Sequence, residues 1–222
     1  MGTLYMVRHG QASLGAKDYD NLSPLGWRQS EQLGAYFKAQ GVVFGAVWTG
    51  TLKRHNQTLR GIGSGMGVEL AATHNAAWNE YDSEALLAAL PVTPPSPKAS
   101  PAAYRQYFQL LRDALRGWAD GVLSPQGMPS YPSFRQGIAD ALANLQTQPQ
   151  GDVLLVSSGG PIATAAGLVL GTTPDTAIGL NLRLRNTAVT QVAVRSKRLD
   201  LVSFNEIPHL AGLAAADWVT YA

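Results

Sequence analysis

The sequence predicts an α/β fold, a three-layer sandwich in which helices flank a mostly parallel central sheet. Short apolar runs, which are typical of buried strands, alternate along the chain with segments of helical periodicity. The clearest apolar runs are residues 4–7 and Asp152–Ser157, and glycines follow both of them closely. Strands that alternate with helices in this way indicate βαβ units, which place successive strands parallel to one another.

Length and composition limit the classes of protein that this chain can be. Its 222 residues suffice for one domain with a sizeable core, and 45% of them are hydrophobic. The formal net charge of +2 is too small to predict a nucleic-acid partner or binding to a membrane surface. The sequence contains no cysteine, which excludes disulfides and thiol chemistry. Neither a signal peptide nor a run of about 20 apolar residues is evident, so we expect a soluble cytoplasmic protein.

The first third of the chain predicts two units of a strand and a helix. Ser23 is a good N-cap and Pro24 a good first helical residue, so a helix is expected to begin here. Thr51 is the predicted cap of a second helix, which ends in a run of glycines. Apolar runs predict strands at residues 42–48 and 68–72.

The middle of the chain departs from this alternation. Residues 91–101 hold five prolines and are predicted to form a loop. Helical periodicity follows at residues 101–122 and 134–145. We therefore predict that residues 83–148 form a helical insertion that packs over the sheet as a cover, within a single domain of residues 1–222.

The alternation resumes after the insertion. The strand Asp152–Ser157 is followed by two glycines and by a predicted helix of small residues at 162–170. Residues 187–194 alternate between apolar and polar side chains, as an exposed strand does, and residues 199–204 are the candidate partner strand. These segments complete the set of strands for one sheet.

Arg8, His9 and Gly10 directly follow the first predicted strand. They would lie at its carboxyl end, which is where open α/β sheets bind their ligands. A guanidinium is a planar fork of donors that suits phosphate oxygens, and a neutral imidazole can attack phosphorus to form a phosphohistidine. Gly10 would let the chain turn sharply and pass close to a ligand. The tripeptide therefore predicts phosphoryl transfer, and the alternatives are a surface arginine and a structural histidine.

Five segments, in a fixed order, carry a resemblance to a known family. They are MVRHGQA at residues 6–12, LSPLG at 22–26, WTGTLKR at 48–54, NEYD at 79–82 and VLLVSSGG at 153–160. Taken together they resemble the histidine phosphatase superfamily, which also contains the cofactor-dependent phosphoglycerate mutases. The resemblance implies the α/β fold described above, a phosphatase chemistry that needs no metal, and no cofactor.

The resemblance also implies roles for individual residues. His9 would be the nucleophile, and Arg8 and Arg54 would hold the phosphoryl oxygens. Glu80 would be the general acid that protonates the leaving oxygen, although two nearby carboxylates compete for this role. Gln11 is expected to help bind the substrate. The alternative for Arg54 is an exposed helix arginine, and the alternative for Glu80 is a solvated surface carboxylate.

One position departs from the family's pattern. The family has a second histidine in the turn after the strand Asp152–Ser157, where this sequence has Ser158 followed by Gly159. A serine offers a neutral hydroxyl where a histidine offers a cation, and losing one placed donor typically lowers a rate about 10²–10³-fold. Ser158, Gly159 and the amides that begin the next helix are still expected to bind phosphate. The chemistry is therefore expected to be slower, or lost.

Three further histidines have no role in the family's pattern, namely His55, His74 and His209. We expect them to be bystanders. The alternative is that one of them replaces the missing histidine from elsewhere in the chain.

The leading predicted function is a metal-independent phosphatase that hydrolyses a phosphomonoester through phospho-His9. One alternative is a family member that binds a phosphorylated ligand or protein with little turnover. Another is a phosphoglycerate mutase, which is disfavoured because residues 11–16 lack the Trp-Asn pair of the mutase pattern. The expected partner is a small phosphorylated substrate or a phosphoprotein. The identity of the substrate, its contacts with insertion residues such as Tyr104 and Arg105, and the oligomeric state are left open.

Overall fold

The computed structural model describes residues 2–13, 20–147, 151–196, 198–212 and 215–221. Residues 14–19, which overlap the segment compared with the mutase pattern, lie outside the described residues, and so does residue 148 at the end of the predicted insertion. The elements, in chain order, are β1 (Gly2–Arg8), α1 (Pro24–Ala39), β2 (Phe44–Thr49), α2 (Lys53–Met66), β3 (Thr73–His74), α3 (Ser83–Ala88), α4 (Pro101–Ala119), α5 (Tyr131–Thr147), β4 (Asp152–Ser157), α6 (Gly159–Leu170), α7 (Pro174–Asn181), β5 (Val189–Val194), β6 (Leu199–Glu206) and α8 (Ala215–Trp218).

Within the described residues, the strands form one six-stranded sheet in the order β3-β2-β4-β1-β5-β6. β1 pairs in parallel with β4, and β2 pairs in parallel with both β4 and β3. β5 runs antiparallel to both of its neighbours. In the pair of β1 and β4, Arg8 lies opposite Ser157, so the carboxyl ends of these two strands meet at one edge of the sheet. The predicted mostly parallel sheet is therefore confirmed.

Helices cover both faces of the sheet because successive side chains of a strand point to opposite faces. On one face, Met6 of β1 and Leu155 of β4 pack with apolar residues of α5 and α6. On the other face, Val7 and Leu154 pack with apolar residues of α1 and α2. All four strand side chains are buried. This arrangement is the three-layer sandwich that the sequence predicts.

α3 and α4 have an apolar cluster of their own, and we call residues 83–119, which contain both helices, the cap. Leu115 and Trp118 of α4 are buried in this cluster. α5 joins the cluster through Tyr131 but packs against the sheet through Ile138. The segment predicted as one insertion is therefore divided in its packing, because α5 belongs to the layer of helices that covers the sheet.

The N-terminus of α2 differs from the prediction because the side chain that caps it comes from another part of the chain. The N-cap residue is Leu52, not Thr51, and it makes no capping hydrogen bond with its side chain. Instead, the carboxylate of Asp20 accepts the backbone N–H groups of Lys53, at 2.8 Å, and Arg54, at 3.2 Å. A negative charge at a helix N-terminus is favourable because the unpaired N–H groups there carry partial positive charge.

The remaining differences concern short elements. β3 lies at Thr73–His74 instead of residues 68–72, and the sequence does not predict α3, α7 or α8, which have six, eight and four residues. The other strands and helices lie within a few residues of their predicted positions. Of the helices in the described part of the chain, none is long and apolar enough to cross a membrane.

Candidate active site

A cavity of about 1510 Å³ lies between the carboxyl edge of the sheet and the cap. Arg8, His9, Arg54 and Glu80 line this cavity together with residues of α3 and α4. Arg8 is the last residue of β1, and Arg54 lies in the first turn of α2, which follows β2. The parallel strands therefore bring the predicted nucleophile, both predicted phosphate-binding arginines and the predicted acid to one place.

His9 is 3% exposed, and the main chain holds its ring. Nδ1 lies 2.7 Å from the carbonyl oxygen of Gly10. Because a carbonyl only accepts, this contact assigns the proton of the neutral ring to Nδ1 and leaves the lone pair on Nε2. Burial lowers the pKa of His9 well below its usual range, and the charges of Arg54 and Arg8 lower it further. The imidazole is therefore neutral at pH 7, which a nucleophile requires.

The loop that carries His9 is fixed from both sides. A Cβ at Gly10 would lie 2.4 Å from the carbonyl oxygen of Gly26, so the close approach predicted for Gly10 is to α1. The N–H of Gly10 donates to Oγ1 of Thr58 at 3.0 Å. On the other side, Nδ2 of Asn186 donates to the carbonyl oxygen of His9 at 3.1 Å. Asn186 is a positioning residue that no sequence signal indicated.

Arg8 and Arg54 both line the cavity, and oxygen acceptors hold their guanidinium groups. Nη1 of Arg54 donates to Oδ1 of Asp20 at 2.9 Å, and Arg54 is buried. Nη1 of Arg8 donates to the carbonyl oxygens of Leu184 and of Tyr221, the latter at 2.6 Å. Because these contacts restrict the two guanidinium groups, little ordering remains to be done when an anion binds between them.

Glu80 lies against the start of α6. The N–H of Gly160 donates to both of its carboxylate oxygens, at 3.0 Å and 3.2 Å. Burial of the carboxyl raises the pKa of Glu80 above its ordinary value, and the Gly160 amide, Arg54 and Arg8 oppose this shift. A raised pKa favours the protonated form that a general acid needs.

The two competing carboxylates, Asp82 and Glu84, also line the cavity but have different surroundings. Oδ1 of Asp82 accepts the N–H groups of Glu84 and Ala85, which makes it the N-cap of α3. Glu84 itself is exposed. In the part of the chain that the structure describes, no group of three or more histidine, aspartate or glutamate side chains is placed to hold a metal ion.

A glycine makes room for the carboxyl of Glu80. A Cβ at Gly160 would lie 2.2 Å from Oε1 of Glu80 and 2.6 Å from Cε1 of Tyr81. Any larger residue at this position must displace one of these side chains. The glycine therefore serves the position of the acid, and the predicted close approach at this turn is to protein atoms.

Ser158 and His55 form a pair that sequence reasoning missed. Both side chains are buried, and Nε2 of His55 lies 2.7 Å from Oγ of Ser158. The ring centroids of His55 and His9 are 5.8 Å apart. Neither His55 nor Ser158 is among the residues that line the cavity, but of the three predicted bystanders His55 is the one in ring contact with the proposed nucleophile. The only available signal was its position directly after Arg54 in the chain.

The other two histidines lie in different surroundings. His74 is exposed, and its Nε2 lies 2.8 Å from Oδ1 of Asn56. His209 is buried, and its Nε2 lies 2.9 Å from Oγ1 of Thr187. Neither lines the cavity.

Gln11, Ser158 and Gly159 are not among the residues that line the cavity, so their predicted phosphate-binding roles stay predictions. Oε1 of Gln11 accepts a hydrogen bond from Oγ of Ser23 at 2.7 Å, at the start of α1. Gly159 begins α6, and a Cβ there would lie 2.4 Å from Oδ1 of Asn181. Gln11 therefore holds its loop to α1, and its role in substrate binding stays a prediction.

The cap contributes aromatic and cationic side chains to the cavity. Tyr104, Arg105, Tyr107 and Arg112 of α4 all line it. The ring of Tyr104 lies 4.6 Å from that of Phe108, measured between centroids. Burial raises the pKa of Tyr104, and the charge of Arg8 acts against this shift.

Comparison with known proteins gives one family. A sequence model of the histidine phosphatase superfamily (branch 1) matches residues 4–93 and 95–207 of the chain. No curated protein matches the chain significantly.

Three of the solved structures that share this fold are phosphatases by name. A mutant phosphoserine phosphatase from Entamoeba histolytica, in complex with phosphoserine, is 22% identical, with a TM-score of 0.67 over 95% of this chain and 100% of that one. A mycobacterial glucosyl-3-phosphoglycerate phosphatase is 20% identical, with a TM-score of 0.65 over 92% and 99%. The alpha-ribazole phosphatase from Shigella flexneri is 16% identical, with a TM-score of 0.63 over 92% and 96%. At these identities the likeness shows the fold.

Proposed function

The chain belongs to the histidine phosphatase superfamily, and from this premise we propose that it is a metal-independent phosphatase that hydrolyses a phosphomonoester through a phosphohistidine on His9. The observation that carries the proposal is the shared cavity, which a neutral imidazole, two guanidinium groups and a carboxyl all line. Phosphoryl transfer requires positioning and neutralisation of charge more than further covalent chemistry. The two arginines are proposed to supply both.

In the first step, Nε2 of His9 attacks phosphorus and forms a P–N bond. The bond between phosphorus and the leaving oxygen breaks, and that oxygen takes the electron pair together with a proton from the carboxyl of Glu80. Arg8 and Arg54 hold the non-bridging oxygens, whose charge they neutralise. The hydrogen bond between Nδ1 of His9 and Gly10 supports this step because it keeps the lone pair on Nε2.

In the second step, water attacks phosphorus on the phosphohistidine. The carboxylate of Glu80, formed in the first step, takes a proton from this water. The P–N bond breaks, its electron pair returns to Nε2 of His9, and inorganic phosphate leaves. The raised pKa of Glu80 supports this double role, because it makes the carboxyl easier to protonate than an ordinary glutamate.

Ser158 is proposed to stand where the family's pattern has its second histidine. Its place between β4 and α6, at the sheet edge that also carries Arg8, supports this assignment. We expect an attenuated phosphatase, because one neutral hydroxyl replaces a cation at a site where negative charge develops.

The proposed substrate is a phosphomonoester whose leaving group is larger than a phosphate. A volume of about 1510 Å³ and the aromatic side chains of the cap support this, since both exceed what an isolated phosphate needs. The relatives with this fold are named for phosphoserine, glucosyl-3-phosphoglycerate and alpha-ribazole chemistry, so the fold is compatible with unlike leaving groups. A small phosphorylated molecule and a phosphoprotein both remain within the proposal.

The test is a panel of phosphomonoesters, including p-nitrophenyl phosphate, assayed with excess chelator and followed by trapping of the phosphoenzyme. We expect release of inorganic phosphate, and an acid-labile, base-stable phosphoenzyme in the wild type. His9→Ala should lower the rate about 10⁴-fold or more, because no other group replaces an absent nucleophile. His74→Ala, which removes an exposed histidine, is the matched control and should keep the wild-type rate.

Three results would contradict the proposal. Full activity of His9→Ala would exclude the phosphohistidine. Tight binding of a phosphoester with no release of phosphate would favour the binding alternative. Interconversion of 2- and 3-phosphoglycerate would favour the mutase.

A further inference from the structure

Two polar side chains from distant parts of the chain meet beside the proposed nucleophile. Nε2 of His55 in α2 lies 2.7 Å from Oγ of Ser158, which is 103 residues further along the chain. Both residues have 0% exposure. The ring planes of His55 and His9 are inclined by 34°, with centroids 5.8 Å apart. The pair is therefore part of the buried wall against which His9 packs.

The other ring nitrogen of His55 determines the direction of this hydrogen bond. Nδ1 is buried and has no hydrogen-bond partner among the described residues. Because a buried N–H without an acceptor is costly, the proton of the neutral ring is assigned to Nε2. Nε2–H then donates to the oxygen of Ser158, and the hydroxyl proton of Ser158 is left to donate elsewhere. Burial lowers the pKa of His55 well below its usual range, and Arg54 adds to this, so the ring is neutral.

The surrounding residues are arranged for this contact. A Cβ at Gly50 would lie 2.3 Å from Nδ1 of His55, so the absence of a side chain there makes room for the ring. Ser158 is the N-cap residue of α6, but its side chain makes no capping hydrogen bond. A serine at this position ordinarily caps the helix with its oxygen. Here the hydroxyl is paired with His55 instead.

We propose that His55 is the positioning residue of Ser158, and that the two side chains together supply the donor that the superfamily's pattern assigns to one histidine. The proposal rests on the proposed function. Nε2–H of His55 fixes the oxygen of Ser158 beside His9, and the hydroxyl proton of Ser158 is directed to an oxygen of the transferring phosphoryl group. Neither residue bonds to phosphorus. The pair supplies a neutral hydrogen bond where a histidinium would supply a charge.

A second buried pair provides a structural control. Nε2 of His209 lies 2.9 Å from Oγ1 of Thr187, so this pair has the same chemistry as His55 and Ser158. Neither pair is among the residues that line the cavity, but the histidine of this second pair is not in ring contact with His9. The N–H of Thr187 donates to the carbonyl oxygens of Arg8 and His9, at 3.1 Å and 3.3 Å, so the control pair borders the same loop. His209→Ala therefore measures what the loss of a buried histidine–hydroxyl pair near this loop does to the protein without removing a ring contact with His9.

The experiment measures kcat and KM with p-nitrophenyl phosphate for five variants, which are His55→Ala, Ser158→Ala, Ser158→His, the double variant His55→Ala/Ser158→His, and His209→Ala. Thermal unfolding of each variant is measured in parallel. Binding of orthovanadate, a phosphate analogue whose binding does not depend on turnover, is measured by calorimetry.

We expect His55→Ala and Ser158→Ala to lower kcat by similar factors of about 10- to 100-fold, with KM changed less than about threefold, because the donor acts mainly on the transition state. Ser158→His should also be poor, because its imidazole would meet the ring of His55. The double variant places one histidine at position 158 and clears the space beside it. It should recover at least about tenfold in kcat over His55→Ala, a coupling that independent sites do not show.

Two results would overturn the proposal while leaving the phosphatase intact. One is a kcat of His55→Ala equal to that of the wild type. The other is a loss in His55→Ala that His209→Ala matches in both kcat and thermal stability, with no recovery in the double variant. Either result would show that the contact between His55 and Ser158 is structural only.

Failure of the proposed function has a different signature. If the wild type releases no phosphate, the phosphatase assignment fails, and if His9→Ala is as active as the wild type, the phosphohistidine mechanism fails, whatever the His55 variants do. In either case, the vanadate measurements decide whether His55 and Ser158 are part of an anion-binding site. Binding that weakens about tenfold or more in both His55→Ala and Ser158→Ala upholds the pair as part of an anion site, and unchanged binding refutes it.

Discussion

The sheet edge and the cap line the same cavity in different ways. At the sheet edge, His9, Arg54 and Glu80 are each fixed by a hydrogen bond to a main-chain or carboxylate partner. On the cap, Tyr104 is 38% exposed and packs by ring contact against a neighbour on its own helix. A reaction at phosphorus requires atoms placed within a fraction of an ångström, whereas recognition of a leaving group tolerates adjustable side chains. The comparison therefore assigns chemistry to the edge and selection of substrate to the cap.

The two regions also differ in their titratable groups. The sequence has four histidines, and none lies in the cap. Three of the four, His9, His55 and His209, are buried in the sheet-edge half of the molecule. Responses to mildly acidic pH are therefore expected to originate at the sheet edge.

The largest expected difference between the regions comes from the proposed acid. Glu80→Gln should lower kcat/KM, which reports the transfer to His9 alone, about 10²–10⁴-fold for an alkyl phosphate, whose leaving oxygen needs a proton. The loss in kcat/KM should be much smaller for p-nitrophenyl phosphate, because p-nitrophenolate leaves without a proton. Asp82→Asn is the matched control, since asparagine also caps a helix. Equal losses in kcat/KM for both substrates would exclude Glu80 as the acid.

A smaller loss is expected when the acid is only displaced. Gly160→Ala places a methyl group 2.2 Å from the present position of Oε1 of Glu80, so the carboxyl must move. We expect kcat to fall about 10- to 100-fold, in keeping with the sensitivity of catalysis to small misplacements, with little change in thermal stability. Gly179→Ala in α7, where a Cβ meets nothing within 4 Å, is the control. A Gly160→Ala variant as active as its control would show that the present position of the carboxyl does not matter.

A substitution in the cap should alter the binding of the substrate and leave the rate of the chemical step nearly unchanged. Tyr104→Ala should raise KM about tenfold for phenyl phosphate and less for methyl phosphate, with kcat changed less than about twofold, because we expect the ring to contact the leaving group and not phosphorus. Tyr104→Phe keeps the ring and should keep the KM. Steady-state kinetics with both substrates are the measurement. A fall in kcat with an unchanged KM would place Tyr104 with the catalytic groups and break the comparison.

The smallest expected effect concerns stability alone. Burial lowers the pKa of His209 to about 4. Between pH 6.5 and 4 the unfolded chain therefore binds a proton at this histidine that the folded chain does not, so stability falls as the pH falls. His209→Asn removes this contribution. Its deficit relative to the wild type at pH 7 should shrink by about 3 kcal/mol on going to pH 4.

Urea unfolding of the wild type and His209→Asn at several pH values is the measurement. The cap variant Tyr104→Phe, which changes no histidine, should keep a constant difference from the wild type across the same range. A deficit of His209→Asn that does not depend on pH would mean that His209 titrates normally in the folded protein.

Much of the fold was predictable because its signals are local. Residues 4–7 and Asp152–Ser157 are apolar runs that only a buried strand accommodates, and both are strands in the structure. Arg8 and His9 follow the first of these runs, so their place at the sheet edge followed from the strand itself. The start of α1 at Pro24 was marked by its own cap.

The features that were missed depend on contacts between distant residues. The carboxylate that caps the N-terminus of α2 belongs to Asp20, and no periodicity in the sequence connects Asp20 to that helix. Asn186 holds the loop of His9 from 177 positions away. The division of the predicted insertion, with α5 packed on the sheet, depends on which face of the helix finds a partner.

The amino-acid pattern by itself determined the α/β architecture and the strand end that carries Arg8 and His9, because hydrophobic period and turn residues act over a few positions. Only the tertiary structure decided that His55 pairs with Ser158, that Gly160 leaves space for Glu80, and which carboxylate accepts the amide at the start of α6. These facts depend on distances between segments that the chain brings together only when the sheet has formed, and no spacing along the sequence encodes such distances.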